Sequence, residues 1–68
     1  MNINDCRKGD VIGHIKTSKS YEYIGITRCK IDGSWVDMHT YESISGARER
    51  FCRFEHDFDG FVSLKYQR

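Results

Sequence analysis

The chain has 68 residues, 38% hydrophobic and 31% charged, with eleven Lys and Arg against ten Asp and Glu for a formal net charge of +1. This is the balance of one small globular domain, and the near-zero charge excludes the overall basic field that drives non-specific nucleic-acid binding. A chain of about 60 residues buries only about 60% of the surface its unfolded form exposes, which leaves little material for a substrate cavity beside a core.

The first eight residues are polar apart from Ile3 and read as an arm or a first turn. They lack an apolar stretch of signal-peptide length, and no run approaches the roughly 20 apolar residues that cross a bilayer. Cys6, Cys29 and Cys52 form no Cys-x-x-Cys pair, and an odd count points to a reducing compartment. The expected location is the cytoplasm.

The turn signal Lys8-Gly9-Asp10 leads into a first strand, Val11 to Lys16, and Thr17-Ser18-Lys19-Ser20 is a polar loop of hairpin length. Pairing Lys16 with Tyr21 sets His14 against Tyr23 and Ile12 against Gly25. The next two strands, Tyr21 to Cys29 and Trp35 to Tyr41, are rich in β-branched and aromatic residues and flank Asp32-Gly33, a hairpin turn signal. A two-residue turn would put Ile24 and Ile26 on the side of His39 and Tyr41. A three-residue loop, Asp32-Gly33-Ser34, groups them with Met38 and Thr40. The second keeps the aliphatics together, and register decides which face each side chain takes. It predicts a core of Val11, Ile15, Ile24, Ile26, Val36 and Met38, with Tyr21, Tyr23, Trp35, His39 and Tyr41 on the reverse face.

Beyond Ser43-Ile44-Ser45-Gly46, the pattern is ambiguous. Ile44, Ala47, Phe51 and Phe54 recur at helical spacing, while Arg48 to Arg53 reads equally as a returning strand. Glu55 to Gly60 is a turn, Phe61 to Leu64 a last short strand, and Lys65 to Arg68 a polar tail.

Gly9, His14-x-Lys16 and Tyr21-x-x-Ile24-Gly25-Ile26, in that order, resemble a family of short uncharacterised domains of bacteria and phages. That family carries an H-x-K-G hairpin, then Y-x-V-x-G-x-A, a V-x-Y strand and W-V-R-P-x-x-x-F. The third element falls on Val36 to Tyr41, and the last on the run from Phe51 to Phe58. Thr17 stands where the family has glycine, and Phe54 where it has proline. The resemblance implies that Arg48 to Arg53 is a strand. It implies no activity and no functional residue. With it, the expected fold is mainly β: a small curled antiparallel sheet or SH3-like barrel of about five strands, possessing at most one short helical turn.

No catalytic constellation stands out, and the chain is expected not to be an enzyme. Cys52 with His39 or His14 is the one conceivable nucleophile and base. The scattered Cys and His lack the paired spacing of zinc sites. From Glu55, the spacing of Asp57, Asp59 and Gly60 fits a calcium loop, but Tyr66 falls where a glutamate is needed. No cofactor is implied. The functional expectation is a small phage- or mobile-element-type protein that docks on a host protein, such as a defence or replication component. The docking face would be Tyr21, Tyr23, Trp35, His39 and Tyr41, with Arg28 and Lys16 beside it. The alternative partner is single-stranded nucleic acid, stacked on those rings with Lys16, Lys19, Arg28 and Lys30 near the phosphates. A homodimer through open strand edges is a third expectation. Against the two uses of the aromatic face, the Arg48–Phe58 segment and the tail would cover the rings as a second core.

Overall fold

In a computed structural model that describes residues 1–64, five antiparallel strands form one sheet. They are β1 (Val11–His14), β2 (Lys19–Ile31), β3 (Ser34–Ser43), β4 (Arg50–Arg53) and β5 (Phe61–Ser63), in the order β4-β3-β2-β1-β5. Two 3-10 turns, Ile3–Asp5 and Glu55–Asp57, are the helical elements among the described residues. The polar tail expected over residues 65–68 lies outside them.

The sheet is open rather than a closed barrel, because its edge strands β4 and β5 form no ladder with each other. They are short, four and three residues. They approach through side chains instead: the Arg53 guanidinium lies 5.2 Å from the centre of the Phe61 ring. The sheet therefore curls around its contents without closing its hydrogen bonds, as barrel formation requires.

The β2–β3 hairpin turns on two residues, not three. Asp32 and Gly33 have φ of 51° and 81°, the positive values that a type I′ turn demands of both central residues. Ile31 then pairs with Ser34, and the ladder runs on to Ile26↔His39 and Gly25↔Thr40. There the register shifts, so that Tyr23 rather than Ile24 opposes Tyr41. Gly25, at φ 147°, takes a backbone conformation that side chains rarely adopt, and supports the bulge.

This bulge overturns the expected core. Of Val11, Ile15, Ile24, Ile26, Val36 and Met38, only Met38 is buried, and Ile15 and Ile26 are largely exposed. The interior is instead Ile3, Ile12, Tyr23, Tyr41, Phe58 and Phe61, with Tyr21 and Cys6 packed against it. Rings win because each removes more apolar surface from water than an aliphatic chain does. The segment after β4 supplies further rings, Phe58 and Phe61, to cover them. Ile3 is held from the other side by its 3-10 turn, which the Asn2 side chain caps by accepting from the Asn4 N–H at 3.0 Å.

The β1–β2 register is four residues tighter than Lys16 opposite Tyr21 would give. His14 pairs with Lys19 and Ile12 with Tyr21, while the Ser18 N–H closes the turn onto the His14 carbonyl at 2.8 Å. An even slip preserves the faces, so Ile12 still shares the side of the tyrosines.

Candidate functional site

The expected docking face divides where β1 and β4 stop. β1 pairs with β2 only as far as Glu22, and Tyr23 completes that side by bonding Gly9 and Asp10. β4 pairs with β3 only from His39 to Glu42. Within this boundary the rings are interior. Tyr23 and Tyr41 are each 4% exposed and His39 3%, with Tyr21 half-buried.

These four have structural work. The Tyr23 hydroxyl and His39 Nδ1 are joined by a 2.7 Å hydrogen bond, which satisfies two buried polar groups at once. Burial pushes the Tyr23 phenol pKa up, with Cys6 a smaller cause in the same direction. The Tyr41 phenol is also raised by burial, although the Arg53 Nε that donates to its oxygen at 2.8 Å pulls the other way. Tyr21 stands edge-on to Tyr41 with ring centres 5.1 Å apart. The expectation that these rings face a partner is therefore corrected: Phe51, Phe58 and Phe61 cover them.

Beyond the boundary, residues 25–38 form a two-stranded ribbon with no third strand among the described residues. Alternation places Ile26, Arg28, Lys30, Trp35 and Asp37 on the ring side of this ribbon. Among the described residues, nothing covers them there. Trp35 is 59% exposed and Ile26 57%, and Ile31 at the tip is also exposed. The Lys30 ammonium sits 5.9 Å from the Trp35 ring centre, and Arg28 approaches Asp37 at 3.6 Å. Both of those charged partners are well solvated, so the ion pair contributes little to folding. Lys16 lies apart, in the β1–β2 turn at the start of β2, whereas Trp35 pairs near its end. Of the seven expected site residues, Tyr21, Tyr23, His39 and Tyr41 come together in the interior, and only Trp35 and Arg28 share the exposed side of the ribbon. Ile26 belongs with them and was misassigned to the core, while Ile31, exposed on the reverse side of the tip, was passed over. The length of the two strands around Asp32-Gly33 was the available signal.

Compared with family models, curated proteins and solved structures, the chain matches none.

The other candidate chemistries are not assembled. His39 pairs with Arg53 and Thr40 with Cys52, which puts Cys52 and His39 on opposite faces of the sheet. His14, on β1, is separated from β4 by two intervening strands and shares a 2.9 Å hydrogen bond with Thr17. Among the described residues, no group of three or more His, Cys, Asp and Glu is placed to hold a metal ion. The Asp57 carboxylate of the acidic turn is taken by Arg53 at 3.2 Å. Among the described residues, no helix is long and apolar enough to cross a membrane.

The Arg48–Arg50 cluster grips carboxylates of its own chain. Arg48 reaches Glu22 at 2.6 Å and Glu42 at 2.9 Å, and Arg50 reaches Glu42 at 2.9 Å. Arg50 and then Arg48 hold the Glu42 carboxyl below its ordinary pKa of 4.5. A depressed folded-state pKa means that the unfolded chain takes up the proton first as pH falls. The contribution is thus present above 4.5 and lost below it, as pH drops through the folded-state value. Urea midpoints measured from neutral to acid pH are expected to fall more steeply for wild type than for Glu42→Gln. Parallel curves would contradict this.

Proposed function

We propose that this chain is a non-enzymatic protein-binding module and that it docks on a host protein through the β2–β3 ribbon rather than through the sheet's ring face. The observation that carries the reading is Trp35, the one tryptophan of the chain, held on paired backbone yet left 59% exposed on the same side as the exposed Ile26. A large exposed ring at the end of a structured arm is the kind of side chain on which binding energy concentrates. Arg28 and Lys30 supply a polar rim around it.

A Trp35→Ala variant is expected to stay folded and to lose at least about tenfold in affinity for a partner captured by the wild-type chain, since a tryptophan hot spot exceeds 2 kcal/mol. Full retention by a folded variant would remove the ribbon from the account. Single-stranded nucleic acid would use the same ring, with Lys30 and Arg28 near its phosphates. Arg28 is already paired with Asp37, which favours protein as the partner. A gel shift that weakens steeply with salt would reverse that preference.

A further inference from the structure

We propose that the free edge of β3, residues 34–38, pairs with the same edge of a second copy, making a twofold dimer joined at the ribbon. An isolated two-stranded ribbon is marginal in water, and a third strand is what stabilises one. Residues 25–38 lack a third strand among the described residues, while carrying a bulky ring and two exposed isoleucines. The question is which edge a further strand would join.

Charge chooses the edge. The free side of β2 carries Arg28 and Lys30, and β4 carries Arg50 and Arg53, so pairing either of these edges with itself would gather four cations along one short seam. β5 offers three residues. The β3 segment Ser34-Trp35-Val36-Asp37-Met38 holds a single charge and no Lys or Arg.

Hydrogen-bond parity then fixes the register. The two-residue turn makes Ile31↔Ser34 the closing hydrogen-bonded pair, so by alternation Trp35 and Asp37 aim their backbone N–H and C=O away from β2. Ser43, at the same parity, does send its N–H outward, to the Glu49 carbonyl at 2.9 Å. Antiparallel pairing centred on Val36 sets Trp35 of one copy against Asp37 of the second and satisfies all of these groups. A shift in one direction would oppose Asp37 to Asp37 and need the His39 backbone, which β4 already pairs. A shift in the other would bring Asp37 against Gly33, which is turning at φ 81°.

In the favoured register the ring side reads Lys30, Trp35, then Asp37 and Arg28 of the second copy, so each carboxylate meets a cation and the ring of the other chain. On the reverse side the two Val36 side chains meet at the axis. The twofold runs perpendicular to the sheet, which leaves both Trp35 rings on one face. Dimerisation would thus double the docking surface, although it stands whether or not that surface binds a protein.

Sedimentation velocity over a wide concentration range tests this on the full chain. A reversible monomer–dimer equilibrium is expected, weak because the paired segment is short. Val36→Lys, which puts like charges together at the axis, is expected to raise the dimer dissociation constant at least about tenfold. Val62→Lys on the β5 edge is expected to leave it unchanged. Should Val36→Lys fail to fold, Asp37→Lys must weaken the dimer in its place. In a mixture of differently isotope-labelled copies, the pairing predicts interchain contacts between Trp35 and Asp37 backbone protons. A chain that stays monomeric at the highest concentrations, or a dimer that Val36→Lys leaves intact, would overturn the proposal. So would a dimer that only Val62→Lys breaks.

Discussion

Phe61→Ala is expected to lower stability by about 3–5 kcal/mol, enough to leave the domain largely unfolded. The Phe61 ring lies 5.3 Å from Phe58, 5.7 Å from Tyr41 and 4.7 Å from His14, centre to centre, and carries the Arg53 guanidinium on its face. It touches the middle of the sheet through Tyr41 and the covering turn through Phe58, so its removal opens a void that no neighbour on a short strand can fill. A folded domain of this length has roughly 3–10 kcal/mol in total, at about 0.05–0.15 kcal/mol per residue. The loss is comparable to the whole. Urea unfolding followed by the tyrosine near-ultraviolet signal measures it. On the ribbon, Trp35→Ala is expected to change stability by no more than about 0.5 kcal/mol, as surface substitutions do. Equal costs at the two positions would mean that the core has been misplaced.

The next largest effect belongs to Arg53→Ala, expected to cost about 2–4 kcal/mol. One guanidinium serves three residues. Its Nε donates to the buried Tyr41 hydroxyl at 2.8 Å, its Nη1 reaches the Asp57 carboxylate, and its plane covers Phe61. Both partners strengthen its hold on its proton, the Tyr41 hydrogen bond most. Truncation strips a partner from Tyr41, uncovers Phe61 and frees the acidic turn in a single step. It also removes the side-chain link between the two edge strands, which the backbone does not supply. Arg53→Lys is expected to recover only part of the loss, because a single ammonium cannot reach the phenol and the carboxylate in that fork geometry. Complete rescue by lysine would show that charge alone matters there.

Much of the architecture was legible in the residues themselves. The strands around Asp32-Gly33 and the last strand at Phe61 follow from composition and turn chemistry, whereas Arg48 to Arg53 read equally as helix or strand and only the family resemblance implied the strand that Arg50–Arg53 forms. The faces did not, and the reason is local. Grouping Ile24 and Ile26 with Met38 assumed uninterrupted alternation from Tyr21 to Tyr41. A single bulge before Gly25 broke it, and let a two-residue turn coexist with a tyrosine core. Glycine within a strand was the one visible warning. Ile3 was equally hidden, since a lone isoleucine among polar residues carries no period. The covering role of Arg48–Phe58 was legible as an alternative, and the structure takes it through Phe51 and Phe58. The ribbon could not be read at all from periodicity. It exists because β2 and β3 outlast β1 and β4, and strand length is set by the neighbours each strand finds.

The ring side of the sheet is interior up to His39 and open beyond it. Trp35 is the sole tryptophan, so its fluorescence reports that boundary without labels. In dilute solution, well below any association, the emission is expected at the wavelength of indole in water, with quenching by iodide nearly as efficient as for the free amino acid. Blue-shifted emission that iodide cannot reach would place Trp35 under cover, and would contradict both the open ribbon and the surface assigned to it.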